Sequence, residues 1–140
     1  MKYYLHQWEQ VRHVENMRAT ITLQLLALAA GSAGGFFYTK DFPKLQVALG
    51  LLIVLIGVLG YFMVLALERA ADIHIDRGRA LRKQLPPLEK VAITFKGFYP
   101  LARYFLGVHL LVLAFGCTLS AYAVARALGI PWSAVRALLP

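Results

Sequence analysis

The chain has 140 residues, 59% of them apolar and 16% charged, with a formal net charge of +8 at neutral pH. Soluble domains average about 45–50% apolar and about 25% charged residues, so the balance points to an integral membrane protein with no separate catalytic domain of ordinary size. Its single cysteine, Cys117, excludes an intrachain disulfide and a cysteine-based metal cluster, and reads as a small packing residue.

Residues 2–18 read as a helix: Tyr4, Trp8 and Val11 recur at helical spacing, Glu9 is within reach of His13, and Glu15 of Arg18. This segment is an interfacial anchor with Trp8 at headgroup level, or a contact surface for neighbouring subunits. Neither Gly nor Pro occurs before residue 31, so the helix continues into residues 19–39, a run of 21 residues without charge. Within it Ala27, Gly31 and Gly35 stand four apart, as do Ala30 and Gly34; small residues of this kind let helix backbones approach closely where lipid supplies no hydrophobic drive. A five-residue link, 40–44, with Asp41 and Pro43, implies an antiparallel hairpin into a second uncharged run, 45–67, of 23 residues that adds Gly50, Gly57 and Gly60. At a rise of about 1.5 Å per residue, each run spans roughly 30–35 Å, enough for a hydrocarbon layer of about 30 Å.

The second helix is expected to continue beyond Leu67 as a charged network of Glu68, Arg69, Asp72, His74, Asp76, Arg79 and Arg82, until Pro86 and Pro87 end it. Residues 88–99, with Val91, Phe95 and Phe98 on one helical face, read as a surface-lying or re-entrant element, with a short strand as the alternative. A third run, 104–125, has 22 residues and one ionisable group, His109, and ends near Gly129; Pro131 and Trp132 suggest a short interfacial piece. The expected organisation is an interfacial or cytoplasmic helix (1–18), a transmembrane hairpin (19–67), a cytoplasmic basic segment (68–103), a third transmembrane helix (104–126) and an external tail (127–140). The fold class is all-α with three membrane spans.

Of 15 lysines and arginines, three lie in residues 1–18 and eight in 68–103, leaving only Lys40, Lys44, Arg126 and Arg136 in the alternate segments. The positive-inside rule reads this as N-terminus inside and C-terminus outside, in the inner (plasma) membrane. Anionic headgroups are the expected counter-charge, and no specific nucleic-acid partner is implied. A cleavable signal peptide is not indicated, because the first apolar run is longer than a typical h-region and lacks a convincing cleavage site.

Candidate chemistry is sparse. Arg69 and His74 fit an R-x4-H spacing that resembles the ribonuclease signature of HEPN domains, although Ala70 stands where those motifs usually carry a polar residue. Asp72, His74 and Asp76 alternate as metal ligands on a strand would, but on a helix His74 points away from the aspartates. His109, inside a span, is a candidate for polar lining with Thr20 and Gln24. No phosphate loop, nucleophile elbow or acid/base pair occurs, so the expectation is no enzyme, no metal and no cofactor.

The N-terminal helix with Trp8, Glu9, Arg12, Glu15 and Arg18, the Gly-rich hairpin and the charged helix through Arg69–Lys83 resemble the SLATT-type two-span effectors of prokaryotic conflict systems. They also resemble the small octameric, pore-like membrane accessories of some RNA-targeting CRISPR loci. The likeness covers about residues 3–85 and rests on architecture; the third run, from Tyr104, and the lack of a sensor domain depart from it. It implies an oligomer that perturbs the membrane in anti-phage defence; the expected protein is a homo-oligomer in which the cytoplasmic segment senses a cytoplasmic protein partner or a ligand. The alternatives are a non-catalytic accessory subunit of a larger membrane complex and a phage holin.

Overall fold

A computed structural model describes residues 2–84 and 98–130. The element expected over 88–99 falls largely outside them, as do the proline pair at 86–87 and the tail beyond Ile130. The described residues are all helical apart from turns: α1 (Lys2–Tyr38), α2 (Pro43–Gln84) and α3 (Phe98–Ala127). All three helices are long and apolar enough to cross a membrane.

Local chemistry sets the described ends. At the end of α1, Thr39 folds back, its N–H donating to the Gly35 carbonyl at 3.0 Å and its hydroxyl to the same oxygen at 2.8 Å. Pro43 opens α2, where a residue without an N–H loses nothing. Arg82 and Lys83 stand in the last turn of α2, where cations complement the helix dipole. At the end of α3, Gly129 adopts φ +68°, the Gly129 N–H reaches the Arg126 carbonyl and the Ile130 N–H reaches Ala125 at 2.9 Å. This is a Schellman stop, and it needs a residue that tolerates the left-handed region.

The chain divides into two compact units. The first comprises α1 through Leu23, α2 from Gly60 and α3 through Gly107. Its buried apolar side chains are Val11 and Val14 of α1, Val64, Ala71 and Ile75 of α2, and Ala102 of α3. Residues late in α2 meet residues early in α1: the Trp8 ring lies over Gly78, where a Cβ would stand 3.2 Å from the indole, and His74 Nδ1 lies 2.9 Å from Gln7 Oε1.

The second unit comprises the remainder of α1, α2 through Leu59 and α3 from Val108. Phe36, Ile53, Leu119 and Ala123 form its core, flanked by Ala33, Val47, Leu49 and Val112. Here α2 and α3 touch backbone to backbone. A Cβ at Gly50 would lie 3.0 Å from the Ser120 Cα, one at Gly57 2.8 Å from the Leu113 Cα, and one at Gly116 2.7 Å from the Val54 nitrogen. Positions fall along α3 as they rise along α2, so the two helices run antiparallel. Gln46, 2% exposed, joins all three helices: its Nε2 donates to the Phe36 carbonyl at 3.0 Å, and its Oε1 accepts from Arg126 Nη1 at 3.3 Å. The Phe36 carbonyl is one of the terminal acceptors that α1 cannot satisfy along its own axis.

Candidate functional site

Two features carry polar chemistry at the uncharged runs, one in each unit. In the first unit, Arg18 stands one residue before the α1 run begins, yet is 1% exposed. Its Nη1 donates to both carboxylate oxygens of Glu15, at 2.8 and 2.9 Å. Helical i,i+3 spacing makes the pair, and the apolar side chains around it withdraw the pair from water. Glu15, Arg18, Glu68, Ala71, Asp72, Ile75 and Ala102 line a cavity of about 20 Å³, room for a single water. Burial pushes the Glu15 carboxyl above its ordinary range, opposed by the Arg18 guanidinium and reinforced by Glu68. Three carboxylates therefore gather around one buried cation at the edge of the first apolar run.

The second feature is a surface. Gln24, Ala27, Gly31 and Gly34 recur at alternating three- and four-residue spacing along α1 in the second unit, and all are exposed. Nothing lies within 4 Å of a Cβ built on Gly31 or Gly34, whereas one at Gly35 would contact Leu49 at 3.4 Å. The small-residue ladder is thus split: Gly35 packs within the chain, while Ala27 and Gly31 remain open. Thr20 is exposed on the same helix, in the first unit.

The other sequence candidates are distributed as follows. Gly50 and Gly57 pack on α3, and Gly60 is buried. Glu68 and Asp72 face the small cavity, Asp76 pairs with Arg79 at 3.2 Å on the exposed side of α2, and Arg82 is half-buried. Arg69 is exposed while His74 turns to Gln7, so the R-x4-H pair is not brought together within the chain. His109 is fully buried and lines no open surface of the single chain. Glu9 stands 4.0 Å from His6, not His13. Among the described residues, no group of three or more His, Cys, Asp or Glu side chains is placed to hold a metal ion.

No family model, curated protein or solved structure matches this chain.

Sequence reasoning passed over Gln46, Gly116 and Gly78. Gly116, Ser120 and Ala123 stand four and three residues apart, a small-residue stripe that signals the partner face of the second run. Gln46 is the lone amide among apolar residues at the start of α2, and once buried it needs a hydrogen-bond partner.

Proposed function

We propose that this protein is a homo-oligomeric membrane effector whose copies pack through the open face of α1 and enclose a channel-like path. α1 and α2 form a transmembrane hairpin, α3 is the third span, and the N-terminus and the charged half of α2 face the cytoplasm. One observation carries the reading: an apolar helix leaves Gln24, Ala27, Gly31 and Gly34 uncovered. Small residues permit close approach of a second helix, and dispersion and interhelical hydrogen bonds then supply the association. A single helix is about 10 Å across, so three cannot surround water and conduction needs several copies. Thr20 and Gln24 supply the polar lining, near the cytoplasmic end of α1, and the charged helices from Glu68 form a vestibule where a protein partner acts. A role in anti-phage defence follows from the likeness to SLATT-type effectors.

The test is the mass of the detergent-solubilised protein, with and without Gly31→Leu, followed by ion flux from liposomes. A ring of six or more copies that Gly31→Leu dissociates supports the reading. A monomer, or a stoichiometric complex with a different membrane protein, replaces it with the accessory-subunit role.

A further inference from the structure

Within the second unit, the connection between α1 and α2 and the end of α3 border an open groove of about 470 Å³, lined by Asp41, Phe42, Pro43, Lys44, Leu45 and Arg126 with Ala127. Its position is given by the sequence. The three uncharged runs end at Thr39, begin at Leu45 and end at Ala125, each within a few residues of this lining. The groove thus lies where apolar helix surface gives way to charge, which in a membrane is the headgroup level.

The lining combines two chemistries. Lys44 and Arg126 are both exposed, and among the described residues neither is ion-paired, to Asp41 or to any other carboxylate. Arg126 is held: Gln46, itself buried and anchored on the Phe36 carbonyl, accepts one of its N–H groups at 3.3 Å. A guanidinium has five N–H donors, so the others remain for a ligand. The α2 N-terminus adds the positive end of its dipole beside them. Against these cations stand Phe42, 65% exposed, and Leu45, 45% exposed, which offer apolar surface.

We infer that this groove binds the headgroup of an anionic phospholipid, its phosphate taken by Arg126 and Lys44 and the start of its acyl chains lying along Phe42 and Leu45. A soluble phosphate would use only the cationic half of the lining. The inference does not depend on the oligomer, since every lining residue belongs to one chain.

The experiment is native mass spectrometry of the full-length protein in detergent, reading the first lipid retained during titration with phosphatidylglycerol, phosphatidylcholine or glycerol 3-phosphate. Each cation near a membrane surface is worth about fivefold in affinity, so Lys44→Gln and Arg126→Gln should each weaken retention of phosphatidylglycerol about fivefold and the pair about thirtyfold. Arg79→Gln, on the far part of α2, should leave the first-bound lipid unchanged. Phosphatidylcholine should bind more weakly than phosphatidylglycerol, and glycerol 3-phosphate at equal concentration should not displace the lipid. Circular dichroism checks that the variants fold. Should the double variant fail to fold, exposed Lys44→Gln alone decides. Undiminished phosphatidylglycerol retention in the variants, equal retention of the two lipids, or displacement by glycerol 3-phosphate would each overturn the assignment.

Discussion

Gly57→Ala adds one methyl group where the structure leaves no space for it. The new carbon would stand 2.8 Å from both the Cα and the nitrogen of Leu113. Carbon atoms pack at about 3.5–4.0 Å, so α2 and α3 must separate by roughly 0.7–1.2 Å at this level. Neither contact atom is the end of a flexible side chain; both are helix backbone, which moves only with its neighbours. Separation would also loosen the approaches at Gly50 with Ser120 and Gly116 with Val54, since the helices are continuous through them.

Overpacking of this kind costs about 1–3 kcal/mol. Exchanging glycine for alanine in a helix returns about 1 kcal/mol of propensity, so Gly57→Ala should destabilise the folded protein by up to about 2 kcal/mol and fall about 1–3 kcal/mol below a glycine-to-alanine change made in open space. Gly107→Ala, on α3 and away from the open face of α1, is the internal control: nothing lies within 4 Å of its added carbon, and only the propensity gain of about 0.5–1 kcal/mol applies. Thermal unfolding in detergent, followed by circular dichroism at equal protein concentration, measures both. Equal melting of Gly57→Ala and the control variant would refute the close approach of α2 to α3. Destabilisation of both variants by the same amount would refute the argument that space distinguishes them.

Three further outcomes follow from the site. Arg18→Met removes the cation from a buried pair and leaves Glu15 beside Glu68 without compensation, so unfolding should become easier by about 3–5 kcal/mol; the Glu15→Leu, Arg18→Met double variant should recover much of that loss in the same melting assay. His74→Ala removes the contact to Gln7 near the Trp8–Gly78 packing; it should alter Trp8 fluorescence, and RNA incubated with either protein should remain uncut. Gln24→Leu should weaken the proposed oligomer by about 0.6–2 kcal/mol per interhelical hydrogen bond lost, read as a shift of the dissociation midpoint on dilution; an unchanged midpoint would mean that the amide takes no part in assembly.

Much of the helical architecture was legible because its signals are long. Uncharged runs of 21, 23 and 22 residues identify three helices able to cross a membrane without help from tertiary context. Pairing between helices was less legible. Gly31 and Gly35 belong to one ladder in the sequence, yet Gly35 meets Leu49 while Gly31 meets nothing. Their residue types are identical, and a rotation of about 40° between positions four apart on a helix separates their surroundings. Gly50 and Gly57 likewise carry no mark naming α3 as the neighbour; that depends on Gly116 and Ser120, far along the chain. Buried polar residues show the same gap between type and fate. Gln46 and Gln24 are both single amides among apolar neighbours, but Gln46 reaches the Phe36 carbonyl at the end of α1, an acceptor brought near it only when the helices pack, while Gln24 stays exposed.

Those two glutamines also bear on assembly. The described chain buries Arg18, Thr22, Gln46 and His109. Gln24 is left outside, on an apolar helix and about two turns from Gly31's open face. Transfer of an amide into hydrocarbon without a partner costs about 4–8 kcal/mol, more than a single glutamine's dispersion contacts with lipid can offset. In the proposed assembly its surroundings are polar: an amide or hydroxyl of another copy, or water. A copy packed on Ala27 and Gly31 brings its own Gln24 to the same face, and water entering between several copies reaches the same amide. Gly31→Leu distinguishes this from a chance exposed side chain, because it leaves the amide intact and blocks only the close approach that would bring a partner to it.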